Sequence, residues 1–160
     1  HSGLFINSPK FLTDCGLLFQ ETNTKPEIEA FDPGMIANAA YYLKKGVLKA
    51  PLHFQFCMGC ANGIPGSTKN LVFMKETMDQ LCPGSTWSCF GVGHSAMEML
   101  YAAVAMGGNV RVGMEDNVMY SKGVLAESNA QFVERAKRVI EEYGNEVATP
   151  DEAREILSLK

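Results

Sequence analysis

The chain repeats one pattern four times: a short stretch of strand-forming residues is followed by a longer helical stretch. The strand-like stretches are residues 26–32, 51–58, 86–90 and 109–114. The second is almost continuously apolar and aromatic, which is typical of a strand buried on both faces of a parallel sheet. A shorter apolar run at residues 3–7 predicts one more strand ahead of the first complete unit. This alternation predicts βα units on a parallel sheet, so we expect one α/β domain over residues 1–160.

Residues with strong positional preferences mark the ends of the predicted helices. Ser8 and Asp32 each stand before a proline and predict helix N-caps. Gly46 predicts the end of the helix that Asp32 begins. Ser128 and Thr149 are each followed three residues later by Gln or Glu, which is the pattern of a capping box. Helices are therefore predicted before the first of the four strands and after each of the four.

The length of the chain leaves two architectures open. A (β/α)8 TIM barrel takes about 250 residues, so four βα units would be about half of one. An open doubly wound sheet would fit the same length. In both architectures the functional groups collect at the carboxyl ends of the parallel strands, so we expect the site there.

The charge balance argues against some classes of partner. The chain has 14 basic and 18 acidic residues, a net charge of -4, which provides no basic surface for nucleic acid or for a membrane. It contains neither an apolar run of the roughly 20 residues that span a bilayer nor an N-terminal signal pattern, so we expect a cytoplasmic protein. The five cysteines are odd in number and scattered, which indicates reduced thiols.

The last predicted strand carries charged groups and ends in polar residues. If the strand continues through the whole stretch, Arg111, Gly113 and Glu115 share one face. Asp116 and Asn117 follow at its end. Charged groups inside a fold need partners, a metal ion or water to offset the loss of solvation. The spacing alone fits either a solvated surface strand or an active site.

Three other motifs carry separate functional signals. Gly91 and Gly93 stand between a strand and a helix in the layout of a dinucleotide-binding fingerprint, and a dinucleotide-binding domain is one alternative function. Cys57 and Cys60 form one C-x-x-C pair without the second pair of a zinc ribbon, which favours incidental buried thiols. His94 lies in a strand-to-helix loop, where it would face either a substrate cavity or solvent.

Five blocks of sequence are informative when they are taken together and in order. They are residues 26–32 (PEIEAFD), 54–56 (FQF), 107–117 (GGNVRVGMEDN), 123–131 (GVLAESNAQ) and 148–157 (ATPDEAREIL). In this order they resemble the β-keto acid cleavage enzymes, the family that includes 3-keto-5-aminohexanoate cleavage enzyme. The resemblance runs through nearly all of the chain, and several long blocks are far more specific than one short motif.

The resemblance implies a fold, a reaction and a cofactor. The fold is a (β/α)8 barrel, of which this chain is the C-terminal half. The reaction is the condensation of a β-keto acid with acetyl-CoA, followed by cleavage to acetoacetate and a new acyl-CoA. The cofactor is a divalent metal ion, usually zinc, held by two histidines of an H-x-H on an early strand and by one glutamate late in the chain.

The resemblance also implies roles for individual residues. Glu115 matches the glutamate that binds the metal. Asp116 matches the general base, and Arg111 matches the arginine that holds this base. Glu29 matches a position that can meet a substrate amino group and is predicted to bind substrate. Asn117 and His94 are also predicted to bind substrate, because they follow the carboxyl ends of predicted strands.

Part of the machinery that the resemblance implies is missing from these residues. The chain contains no H-x-H, and one metal ligand of three does not bind zinc tightly. We therefore expect negligible cleavage by this chain alone and activity only together with an N-terminal half of the barrel. The open edges of a half barrel predict association with that half or between copies in a homo-oligomer. A non-catalytic half barrel that serves as an assembly element is the remaining alternative.

Overall fold

Four parallel strands form one sheet in a computed structural model that describes residues 6–159. The strands are β1 (Glu27–Ala30), β2 (His53–Met58), β3 (Thr86–Gly91) and β4 (Asn109–Val110), and they lie in the order β1-β2-β3-β4. Each neighbouring pair is parallel. Parallel neighbours need a crossover connection, which a helix supplies in each case. The predicted βα architecture is confirmed.

The described residues contain six α-helices. They are α1 (Pro9–Glu21), α2 (Pro33–Lys44), α3 (Thr68–Leu81), α4 (Ala96–Ala105), α5 (Asn129–Glu142) and α6 (Pro150–Ile156). Five begin at a side-chain cap that accepts a backbone hydrogen bond: Ser8, Asp32, Ser67, Ser128 and Thr149. The capping box at Thr149 is complete. At Ser128 it is not, because the Gln131 side chain accepts from the amide of Glu127 instead.

The main hydrophobic core lies between the sheet and helices α2, α3 and α4. Strand β2 is buried over its whole length, and its alternate residues Phe54, Phe56 and Met58 belong to this core. We call the opposite side of the sheet the inner face. Glu29 and Gln55, which are register partners on β1 and β2, lie on it. A second, smaller apolar cluster joins α5 to α4.

The last strand of the sheet is shorter than the sequence predicts. Only Asn109 and Val110 belong to β4, although the amide of Arg111 still donates to the carbonyl of Cys89 on β3 at 3.1 Å. The prediction of a strand over residues 109–114 is therefore wrong at its carboxyl end. The backbone leaves the sheet immediately after Arg111.

Residues 113–117 form a turn in place of the predicted strand end; we call it the 113–117 turn. The amides of Asp116 and Asn117 both donate to the carbonyl of Gly113, at 3.2 and 3.1 Å. Glu115 lies inside this turn, so the prediction that it continues the strand face of Gly113 is wrong.

The connection from this turn to α5 contains a small hairpin. Its strands are β5 (Met119–Ser121) and β6 (Val124–Leu125), which pair antiparallel. Gly123 adopts a φ of 77° between them, a conformation that favours glycine. The hairpin continues directly from the 113–117 turn and forms a two-stranded sheet of its own.

Two further predictions concern the N-terminal strand and membrane-spanning helices. The strand predicted at residues 3–7 falls largely outside the described residues, and Ile6 and Asn7 themselves are not in a strand. No helix within residues 6–159 combines the length and the apolar composition needed to cross a bilayer.

Gly91, at the end of β3, packs tightly against the start of α4. A Cβ atom there would lie 2.6 Å from the carbonyl oxygen of Ser95 and 2.8 Å from Cγ of Met99, whereas a Cβ at Gly113 would meet nothing closer than 3.4 Å. This packing accounts for Gly91 without a bound dinucleotide. We expect Gly91→Ala to lower the free energy of unfolding by about 1–3 kcal/mol, as overpacking does, and Gly113→Ala by less than about 1 kcal/mol. Urea titrations measure both values, and equal losses would contradict the packing argument.

Candidate active site

Arg111 and Asp116 form an ion pair with two hydrogen bonds at the carboxyl end of the sheet. Nε of Arg111 donates to Oδ2 of Asp116 at 3.0 Å, and Nη2 donates to Oδ1 at 2.9 Å. Two parallel bonds from one guanidinium fix the plane of a carboxylate as well as its position. The Asp116 side chain is only 8% exposed and that of Arg111 30%. The carboxylate of Asp116 is therefore held in one orientation.

Two more carboxyl groups contact the same guanidinium. Oε1 of Glu29 accepts from Nη1 of Arg111 at 3.3 Å, and Oε2 of Glu115 accepts from Nη2 at 3.1 Å. These side chains are more open to solvent, at 48% and 86% exposed. One guanidinium thus faces three carboxyl groups, a formal surplus of negative charge. A cation placed beside Glu29 or Glu115 would reduce that surplus.

The aromatic ring of Phe90 packs against the guanidinium of Arg111. Cζ of Arg111 lies 4.2 Å from the centroid of the Phe90 ring, within the range of a cation–π interaction. Burial lowers the pKa of Arg111, but the hydrogen bonds and the charge of Asp116, aided by the other two carboxyl groups, outweigh it and leave the pKa above its ordinary value. Sequence reasoning missed Phe90, because no local motif links the end of β3 to Arg111.

The backbone of the 113–117 turn is held by two neighbouring elements. The amide of Gly93 donates to the carbonyl of Asp116 at 2.9 Å, and Gly93 has a φ of 59°, which favours glycine. From the other side, Oδ1 of Asn129 accepts from the amide of Met114 at 2.7 Å. Sequence reasoning missed both contacts. The conformation of this turn therefore depends on residues far from it along the chain.

Asn117 uses its side chain to start the hairpin. Its Nδ2 donates to the carbonyl of Met119 at 2.7 Å, and its Oδ1 accepts from the amide of the same residue at 3.0 Å. Asn117 also lines a small cavity of about 20 Å³ together with Arg111, Gly113 and Asp116. The observed role is structural, and its binding to substrate stays a prediction.

His94 lies in the 3₁₀ turn Gly93–Ser95 that precedes α4, and it is exposed. Among the hydrogen bonds and ion pairs of residues 6–159, none joins His94 to Arg111 or to the carboxyl groups around it. Its position beside Gly93 places it next to the residue that contacts Asp116. Its binding to substrate also stays a prediction.

The C-x-x-C pair supplies no activated thiol. All five cysteines are free, as the sequence predicts. Burial raises the pKa of Cys57 well above its ordinary value, and the charge of Glu29 adds to the effect. Burial also raises the pKa of Cys60, with a contribution from the charge of Asp116. Raised pKa values keep the thiolate fraction of both cysteines low, which does not suit a nucleophile.

The described residues do not make a zinc site by themselves. In the part of the chain from residue 6 to residue 159, no three His, Cys, Asp or Glu side chains come together as metal ligands. Glu115 offers one largely exposed carboxylate. A zinc ion at this position would therefore need ligands from outside the described residues.

The predicted site residues thus fall into two groups. Four lie in one hydrogen-bonded cluster: Arg111, Asp116, Glu115 and Glu29. The other two are adjacent to it through the backbone, since Asn117 follows Asp116 and His94 follows Gly93. The cluster joins residues 82 positions apart in the sequence. They meet because β1 and β4 run in the same direction, so both strands end at the carboxyl end of the sheet.

Comparison with known proteins places the sequence in a family. The family model described as "beta-keto acid cleavage enzyme" matches residues 1–159. A 3-keto-5-aminohexanoate cleavage enzyme of Fusobacterium nucleatum subsp. nucleatum is 47% identical over 157 residues, which are 98% of this chain and 56% of that protein. A 3-oxoadipate:acetyl-CoA acetyltransferase of Cupriavidus necator is 42% identical over 135 residues, 84% of this chain and 48% of that protein. The chain therefore spans about half the length of these relatives.

Comparison with solved structures supports the fold. The apo structure of ObcA matches 96% of this chain and 40% of its own, with a TM-score of 0.82 and 18% sequence identity. At this identity the likeness shows the fold alone. It confirms the predicted α/β class and the interpretation of the four βα units as about half of a TIM barrel. Because the family model matches residues 1–159 and a cleavage enzyme is 47% identical, the chain belongs to the β-keto acid cleavage enzyme family.

Proposed function

We propose that this chain is the C-terminal part of an enzyme that condenses a β-keto acid with acetyl-CoA and cleaves the product to acetoacetate and a new acyl-CoA. The observation that carries the proposal is the two-bond pair of Arg111 and Asp116 at the carboxyl end of the sheet. The family match supports the reaction class. A carboxylate that is only 8% exposed and is held in a fixed orientation suits the removal of a proton from carbon.

Asp116 acts as the general base in this proposal. It takes a proton from the carbon between the keto group and the carboxylate of the substrate, and this carbon then forms the new bond to the acetyl group of acetyl-CoA. This attack breaks the thioester bond and expels CoA as its thiolate. The thiolate then adds to the keto carbon of the substrate, and the bond between that carbon and the α-carbon breaks. The acyl group is left as a thioester of CoA, and the α-carbon keeps the bonding electrons within acetoacetate. The proton returns to the carbon of acetoacetate. Arg111 stays bonded to Asp116 and fixes its orientation throughout.

Glu29 binds the distal part of the substrate in this proposal. Its carboxylate reaches Arg111 through a single contact at 3.3 Å and is about half exposed, so one oxygen remains free for a ligand. A substrate ammonium group there would offset the surplus of carboxylates around Arg111. We therefore propose an aminated β-keto acid as the substrate.

Zinc belongs to the proposal as a cofactor of the complete protein. Bound through Glu115 and through histidines outside this chain, it would polarise the keto oxygen as a Lewis acid. We expect Glu115→Gln to lower the zinc affinity of the complete protein more than about 100-fold. Losing a residue that only supports a metal ligand costs roughly 10–100-fold, and a direct ligand should cost more. Zinc titration against a competing chelator measures the change. The matched control is Glu155→Gln, an exposed glutamate on α6, and equal affinities in both variants would contradict the assignment.

The direct test is an assay of the complete protein, meaning this chain with its N-terminal half. It is incubated with acetyl-CoA and matched β-keto acids that carry or lack an amino group at the far end, and acetoacetate and the new acyl-CoA are quantified. We expect both products in equal amounts and a preference for the aminated substrate. Residues 1–160 alone are expected to give neither product. No turnover of any β-keto acid by the complete protein would contradict the proposal.

The partners of the chain follow from the same proposal. Among residues 6–159, strands β1 and β4 are the two edges of the parallel sheet, and edge strands present main-chain groups for pairing. The N-terminal half of the barrel is the proposed partner for these edges, with association into a homo-oligomer as a further expectation. Size-exclusion chromatography with light scattering on the complete protein tests the second point.

A further inference from the structure

We propose that Asn129 is a positioning residue for the reaction, which acts on Asp116 through the 113–117 turn. The inference rests on the proposed function, because it assumes that Asp116 is the base. Asn129 is the first residue of α5, and Ser128 before it already caps this helix. Its side chain is therefore not needed to begin the helix, and its amide oxygen instead contacts the turn.

The contact is short and specific. Oδ1 of Asn129 accepts from the amide of Met114 at 2.7 Å. Met114 is two residues before Asp116 and lies between Gly113, whose carbonyl closes the turn, and Glu115. The Asn129 oxygen thus fixes the first half of the turn from the side of α5.

A second contact fixes the other half of the turn. The amide of Gly93 donates to the carbonyl of Asp116 at 2.9 Å from the side of the loop after β3. The backbone that carries Asp116 is therefore held between two elements, each through one hydrogen bond. The Gly93 bond joins two backbone groups, whereas the bond from Asn129 uses its side chain. A substitution at Asn129 therefore removes its bond without changing the backbone.

The expected consequence is kinetic. Without the oxygen of Asn129, the amide of Met114 loses its partner and the turn gains freedom, so Asp116 is no longer presented to the substrate in one orientation. A displacement of about 1 Å of a reacting group can cost on the order of 100-fold in rate. We expect Asn129→Ala in the complete protein to lower kcat by about 10- to 100-fold and to leave KM for acetyl-CoA within about twofold.

Two companion variants separate positioning from a general loss of structure. Asn129→Asp keeps an oxygen acceptor at the same place and is expected to recover most of kcat. Ser128→Ala removes the neighbouring cap of α5 but leaves the contact to Met114, so it is expected to lower the melting temperature more than kcat. Asn129 is exposed, so its replacement opens no cavity in the core.

The outcomes distinguish this inference from the proposed function. An inactive wild-type protein would overturn the proposed function itself. If the wild-type protein is active, two results for the variants would overturn the inference. Asn129→Ala would keep normal kcat, or Asn129→Asp would lose as much kcat as the alanine variant. A loss of kcat in Ser128→Ala as large as that in Asn129→Ala would likewise show that only the integrity of α5 matters.

Discussion

Asp116→Asn in the complete protein should lower kcat by about 10²- to 10⁴-fold, the usual contribution of a general base. Asparagine has nearly the same shape, but its amide cannot take up a proton from carbon at neutral pH. It also brings an NH₂ group toward the Nε and Nη2 donors of Arg111, in place of one of two acceptors. Steady-state kinetics with acetyl-CoA and the preferred β-keto acid measure the loss.

The control for this experiment is Asp151→Asn. Asp151 is an almost fully exposed aspartate on α6 that also pairs with an arginine, Arg154, at 3.0 Å. The same chemical change there should leave kcat unchanged. Normal turnover by Asp116→Asn would remove Asp116 as the base, and melting temperatures of both variants show whether a loss of rate reflects a loss of fold.

Arg111→Met should destabilise the complete protein by about 2–4 kcal/mol. This is somewhat less than the roughly 3–5 kcal/mol for removing one partner of a fully buried ion pair, because Arg111 is 30% exposed. Asp116 would keep its carboxylate, only 8% exposed, without the two bonds that now satisfy it. The double variant Arg111→Met/Asp116→Asn should recover part of this loss, because it leaves no buried charge uncompensated. Free energies of unfolding from urea titration give the coupling between the two residues.

The matched control is Arg154→Met, which breaks the exposed pair with Asp151. Exposed pairs contribute about 0–1 kcal/mol, so this variant should change stability little. If Arg111→Met cost no more than Arg154→Met, the Arg111–Asp116 pair would be an ordinary surface contact, and the assignment of the site would lose its geometric support.

Local sequence signals predicted most of the fold. Asp32 and Thr149 cap helices because the capping hydrogen bond spans only three residues, so it is visible in the sequence. The burial of β2 follows from its nearly unbroken apolar composition. Elements whose stability depends on their own residues were therefore predicted well.

The end of β4 was not predictable for the opposite reason. The alternation of residues 109–114 fits a strand, but the chain turns away after Arg111 to make bonds with Gly93 and Asn129. Those partners lie on other elements, and no spacing rule connects them. The same holds for Phe90 beneath Arg111. The charged residues of the site were recognisable in the sequence, whereas the groups that hold them in place were not.

The position of the main core has a consequence for how this protein can diversify. Its apolar side chains lie between the sheet and the helices, whereas Glu29 projects from the opposite side of the sheet and is about half exposed. Substitutions at Glu29 remove no buried apolar contact and only one half-exposed ion pair, so they should cost little folding stability. If Glu29 binds the distal part of the substrate as proposed, the same scaffold can therefore serve different substrates through changes at this position.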